Sequence, residues 1–209
     1  MVYPHISTSA DLLKSTVRLD ELFPFLKEQG ASSVAIVNTK LYGMLPFWEA
    51  CRRAGIHGVV GLSTFIEYEE QHYPVVLYAQ SNKGYDNLLK ISSALATRDK
   101  EAIPEQWLKA YKEGLICVIP NKAEWLLTDR SLVIGYIKSL FGQSAFGSIE
   151  RPGGVVSAYE SDFIELCAQL EIPIMATHEI RYMHQQDAFA YEVASAIGQG
   201  LKMNDPERQ

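Results

Sequence analysis

Short apolar runs alternate with amphipathic segments along almost the whole chain, and this alternation most narrows the folds open to it. Residues 2–6, 33–37, 59–66, 74–79, 115–119, 146–149 and 174–177 read as strands. Several are apolar at nearly every position, the pattern of strands covered on both faces. Between them, apolar residues recur at helical spacing. Leu19, Leu22, Phe23 and Leu26 form one face, Leu45, Trp48, Ala50 and Cys51 a second, and Tyr85, Leu88, Leu89 and Ile91 a third. Segments 132–141, 163–170 and 189–197 continue the series, and Gly30, Gly55 and Gly198 are placed to close helices. Such β-α-β-α repetition predicts parallel pairing with right-handed crossovers. An open doubly wound sheet and a (β/α) barrel both satisfy it. A nucleotide-binding open sheet often carries a glycine fingerprint after its first strand. Here that turn reads Ser7-Thr8-Ser9-Ala10-Asp11. A barrel of about seven strands, one domain over residues 1–209, is therefore expected, with residues 97–106 as a surface excursion.

Composition sets the outer bounds. With 209 residues and 47% hydrophobic content the chain can bury a core without disulfides. A net charge of −6 argues against a stand-alone nucleic-acid binder. Cys51, Cys117 and Cys167 are far apart among apolar neighbours. They read as buried thiols in a reducing compartment and not as a metal knuckle. Met1 leads into Val-Tyr-Pro-His and no apolar run reaches membrane-span length, so a cytoplasmic protein without a membrane partner is expected. Glu67, Glu69 and Glu70 read as a solvated hairpin or loop end, and Trp48, Trp107 and Trp125 as packing anchors. His57, His72 and His184 need no function.

In parallel barrels chemistry gathers at the carboxyl ends of the strands. Those ends carry His5 and Ser7, Asn38 and Thr39, Ser63 and Thr64, Glu150 and Arg151, and His178, Glu179 and Arg181. Only His5, Glu150, His178 and Glu179 are capable metal ligands there, and divalent metals need several such groups converging on one point.

The order of motifs resembles one family. Tyr3-Pro4-His5-Ile6-Ser7 leads to Leu12-Leu13, and Ala35-Ile36-Val37-Asn38-Thr39 to Leu41-Tyr42-Gly43. Leu77-Tyr78-Ala79-Gln80-Ser81-Asn82-Lys83-Gly84-Tyr85-Asp86-Asn87-Leu88 follows, then Gly114-Leu115-Ile116-Cys117-Val118 and Ile172-Pro173-Ile174-Met175-Ala176-Thr177. Together they resemble the polymerase and histidinol phosphatase (PHP) domain at the N-terminus of bacterial DNA polymerase III alpha subunits. That resemblance implies a distorted (β/α)7 TIM-like barrel, and a ring of His, Asp, Glu and Cys holding two or three metals for phosphoester hydrolysis. His5 keeps the first ligand position. The other matching positions carry Ser7, Asn38 and Thr39, Ser63, Glu150 and, in place of the final Asp-x-His, Glu179 and Arg181. The fourth-strand His aligns with Pro74, two residues after His72.

The resemblance implies a vestigial metal site at His5, Ser7, Asn38, Thr39, Ser63, Glu150, Glu179 and Arg181, because a guanidinium cannot ligate a metal. No catalytic residue and no cofactor is then expected in this domain. Mg²⁺ and the polymerase chemistry would belong to the rest of an alpha subunit, of which this chain, with its polar closing segment 204–209, is an N-terminal fragment. The domain would be a scaffold and docking module for that remainder and for a proofreading or other replisome protein, meeting DNA only through the full-length subunit. The alternative is an active phosphoesterase or 3′–5′ exonuclease using His5, Glu150, His178 and Glu179 with Zn²⁺ or Mn²⁺. A third possibility is an interaction module with no history in phosphate chemistry.

Overall fold

In the computed structural model the described residues are 1–122, 125 and 130–203. The closing segment 204–209 lies outside them. Two compact units are formed, one by Met1–Val59 with the chain from Glu179 onward, the other by Val60–His178.

In the first unit, β1 (Val2–Ile6) lies parallel to β2 (Ser33–Asn38). Val2 faces Ser33 and Ile6 faces Ile36, with a register slip between Tyr3 and Ile6. Pro4 sits in that slip, where it has no N–H for the ladder, and the irregularity falls beside His5. α1 (Leu19–Glu28) buries Leu22, Phe23 and Leu26, and α2 (Met44–Ala54) buries Met44, Phe47, Ala50 and Cys51. Each large apolar side chain so buried contributes about 2 kcal/mol. Phe23 and Phe47 join the two helices at 6.2 Å between ring centroids.

Gly30 and Gly55 take the left-handed conformation expected of them. Gly198 does not. It stays inside α7 (Ala188–Gln199), and the left-handed cap is Gly200, at φ +70°. A Cβ on Gly198 would stand 3.3 Å from the Leu13 Cβ, so this glycine serves close packing.

In the second unit, β3 (His57–Tyr68), which begins in the first, turns back into β4 (Gln71–Ala79). The two are antiparallel, with Tyr68 opposite Gln71 and Gly61 opposite Tyr78. Glu69 and Glu70 make the turn at φ +49° and +63°, the backbone a two-residue hairpin requires. This is the hairpin end expected of the acidic run. There follow α3 (Asn82–Thr97), β5 (Ala102–Ile103), α4 (Glu105–Tyr111), β6 (Leu115–Pro120), α5 (Arg130–Phe141), β7 (Ala145–Ile149), α6 (Glu160–Gln169) and β8 (Ile174–Ala176).

β4 pairs antiparallel with β6, β6 parallel with β7, and β7 parallel with β8. Uniformly parallel pairing therefore fails at β3–β4–β6. The reason lies in chain length, because residues 67–73 are too few for a parallel crossover of a dozen or more. The expected excursion at 97–106 instead holds β5 and the start of α4, with Ala102 and Ile103 buried and paired beside Phe65 and Ile66.

The tryptophans are packing groups. Trp125 is buried against Tyr73, Trp48 lies against Phe47, and the Arg98 guanidinium covers Trp107 at 5.0 Å. Among the described residues no helix is long and apolar enough to cross a membrane.

Candidate functional site

The candidate site in the first unit is built from the ends of β1 and β2, the turn that follows β1, and the segment before α7. His5, Ser7 and Asn38 are all buried. Ile180 N–H donates to the His5 carbonyl at 3.1 Å, and Ser7 N–H to the Ile180 carbonyl at 2.9 Å. This short ladder brings residues 179–181 alongside the end of β1. It sets the His5 Nε2 at 3.7 Å from the Glu179 Oε1. The same Glu179 oxygen accepts from Arg181 Nη2 at 2.8 Å, and Arg181 Nη1 donates to the Tyr191 hydroxyl at 2.6 Å. Burial works against the Arg181 charge, but Glu179 and Tyr191 outweigh it, and its pKa lies above the ordinary arginine value.

The neutral positions are engaged within the protein. Ser7 Oγ donates to the Val37 carbonyl at 3.0 Å. Asn38 Oδ1 accepts from Thr8 N–H, and its Nδ2 donates to Thr8 Oγ1, both at 2.9 Å. Thr39 donates through its N–H and its hydroxyl to the two oxygens of Asp11, at 2.6 and 2.7 Å. Ser15 Oγ lies 2.7 Å from the Ser7 carbonyl and 2.8 Å from the Arg181 carbonyl, and accepts from Val17 N–H.

In the second unit, His178 Nδ1 stands 3.2 Å from Glu150 Oε1. Glu150 is thus the partner of His178, and Glu179 belongs with His5 and Arg181. Adjacent residues of an extended chain face opposite ways, as this division requires. Ser63 lies on β3 opposite Val76. Arg151 forms a fork on the buried Glu160 through Nε and Nη2, and those hydrogen bonds hold the Glu160 carboxyl below its ordinary pKa. Pro74 is buried in β4, and His72 meets Glu101 at 4.0 Å near the hairpin end. Among the described residues no three His, Cys, Asp or Glu side chains form a group able to hold a metal ion.

The three cysteines are buried and free. Burial pushes the thiols of Cys51 and Cys167 up to about 11, and raises that of Cys117 as well. Thiolate chemistry is suppressed at all three, as their apolar neighbours led one to expect.

Asp11, Ser15, Tyr191 and Glu160 escaped the reading of strand ends. Asp11 and Ser15 lie beyond β1 in a polar turn, and the only sequence cue was the density of Ser, Thr and Asp there. Tyr191 and Glu160 sit on helices, and no local pattern connects them to Arg181 or Arg151.

The PHP domain family profile matches residues 4–148 of the chain. The DNA polymerase III subunit alpha of Bacillus subtilis is 31% identical over 98% of this chain, and that of Campylobacter jejuni 29% identical over 98%. The chain spans only 19% and 20% of the lengths of these two relatives. Among solved structures, a two-domain protein from Bacteroides vulgatus containing a predicted PHP-like metal-dependent phosphoesterase superposes with a TM-score of 0.59. It is 10% identical, and the match covers 89% of this chain and 53% of that one. An amidohydrolase from Chromobacterium violaceum, solved with sulfate and no metal, superposes with a TM-score of 0.54 at 8% identity, over 87% of each chain. At such identities the likeness is one of fold, and it agrees with the distorted α/β barrel class expected from the motifs.

Proposed function

The chain belongs to the PHP domain family, and from that premise we propose that it acts as the N-terminal PHP domain of a replicative DNA polymerase III alpha subunit. In this reading it is a cytoplasmic scaffold. It steadies the rest of the subunit and offers a surface to a replisome protein, while polymerisation and its Mg²⁺ belong to the remainder. Alignment over 98% of the chain with alpha subunits about five times longer supports the placement.

Within that role the family's metal-dependent phosphoester site is replaced by protein–protein bonds. One observation carries this, the hydrogen-bonded ion pair of Arg181 with Glu179. The carboxylate that stands 3.7 Å from His5 already holds a permanent cation. A divalent ion about 4 Å from that guanidinium would be repelled by about 8 kcal/mol at an effective dielectric of 20. The neutral positions beside them do not fit a metal either. Ser7, Asn38 and Thr39 offer only neutral oxygens and nitrogens, each used in a hydrogen bond to the chain. Borderline metals prefer imidazole, thiolate and carboxylate. Arg181 thus supplies the positive charge that a metal supplies in a working site, and holds residues 179–181 and Tyr191 together without one.

Elemental analysis of the purified protein, after equilibration with Zn²⁺ and then Mn²⁺ and removal of excess, tests this. The expected content is well below one equivalent. Stoichiometric metal, with metal-stimulated release of nucleotides from single-stranded DNA that His5→Ala abolishes, would establish the hydrolytic alternative.

A further inference from the structure

An open groove runs between α1 and α2 on the first unit, with a volume of about 530 Å³. Its walls are apolar, made by Leu19, Phe23, Pro24, Ala50 and Ala54. Asp20, Lys27 and Arg53 stand at its edge. The Asp20 carboxylate is taken by Arg18, through hydrogen bonds of 3.1 and 2.7 Å. Lys27 and Arg53 are exposed and have no ion-pair partner among the described residues. On a chain of net charge −6, the groove therefore carries a local field of opposite sign. Helix dipoles account for a cation at each helix C-terminus. They do not account for an apolar trough between the two.

We propose that this groove is a docking site for an acidic peptide segment of another protein, with apolar side chains seated on Leu19 and Pro24 and carboxylates on Lys27 and Arg53. A size of several hundred Å³ suits a few side chains, and an apolar trough with charged edges is the usual receptor for an amphipathic segment. Charge decides the sign of the partner, since a basic segment would face two cations while the one lining carboxylate, Asp20, is already taken by Arg18. The groove stands on its own geometry and does not depend on the loss of the metal site.

Selection of a random 12-residue peptide display library on the purified protein tests the assignment. Enriched peptides are expected to combine Asp or Glu with Leu, Phe or Trp. A synthetic peptide of the leading sequence should bind at least about tenfold more weakly to the Lys27→Glu/Arg53→Glu double variant. It should bind equally well to Lys83→Glu/Lys100→Glu, which changes net charge identically elsewhere. Independently of any variant, peptide-induced protection from amide hydrogen exchange should centre on residues 19–27 and 50–54. Neutral or basic consensus peptides, no enrichment, or indifference to the Lys27→Glu/Arg53→Glu reversal would overturn the proposal. So would binding of an oligo(dT) strand, or self-association, that is lost in the same variant.

Discussion

Asp11 shows how the replaced site holds together. Its two carboxylate oxygens receive both donors of Thr39, and the side chain is 6% exposed. Removing it takes a charged acceptor from both Thr39 donors, and because Thr39 is exposed, water replaces part of what is lost. Asp11→Ala should therefore lower unfolding stability by about 1–2 kcal/mol, read as a shift of the urea midpoint at constant slope. Asp11→Asn keeps one acceptor oxygen and should lie between the two. Little or no shift in Asp11→Ala would mean that this turn is not held by the carboxylate. Arg181 and Glu179 make the complementary point. The strand ends identified both residues as site positions; of the two carboxylates there, Glu179 and Glu150, it is Glu179 that takes Arg181, and the approach of α7 adds Tyr191 as the third partner.

The elements follow from simple chain chemistry where the signal is local. Apolar residues at helical spacing marked α1, α2, α3, α5, α6 and α7, and runs of apolar residues marked every strand except β5. That two-residue strand has too little sequence to carry a period, and it is recognised only by its place beside Phe65 and Ile66. The contact between the start of α3 and the turn before β6 is the sharpest constraint between elements. A Cβ on Gly84 would lie 1.9 Å from the Gly114 carbonyl oxygen. The same approach lets Gln80 N–H donate to that oxygen, at 2.9 Å, and Asn87 Nδ2 to the Glu113 carbonyl, also at 2.9 Å. Gly84→Ala should destabilise the protein by about 3 kcal/mol, because backbone on backbone cannot give way. Gly135→Ala, inside α5 with nothing within 4 Å of the added carbon, should instead stabilise it by about 0.5–1 kcal/mol. Thermal melts of the two variants, run side by side, check both signs.

At the scale of the whole molecule, the three buried thiols are natural reporters, since Cys51 lies in the first unit and Cys117 and Cys167 in the second. Under native conditions none should react with an aromatic disulfide reagent within minutes, and all three should react at once in denaturant. Prompt reaction of a single thiol in buffer would show that one unit opens on its own. The sequence by itself determined the α/β class, most element positions, the inert cysteines and the family, because these rest on periodicity, neighbours and motif order along the chain. The short link between residues 66 and 74 also held the antiparallel hairpin, although repetition alone argued for parallel strands. Only the tertiary structure decided which partner each site residue takes. His178 meets Glu150, Glu179 meets both His5 and Arg181, and Asp11 meets Thr39. Such pairings join residues up to 174 positions apart, and a displacement of a few tenths of an ångström decides whether a hydrogen bond forms. No pattern local to either residue encodes a distance of that kind; packing of the surrounding elements sets it.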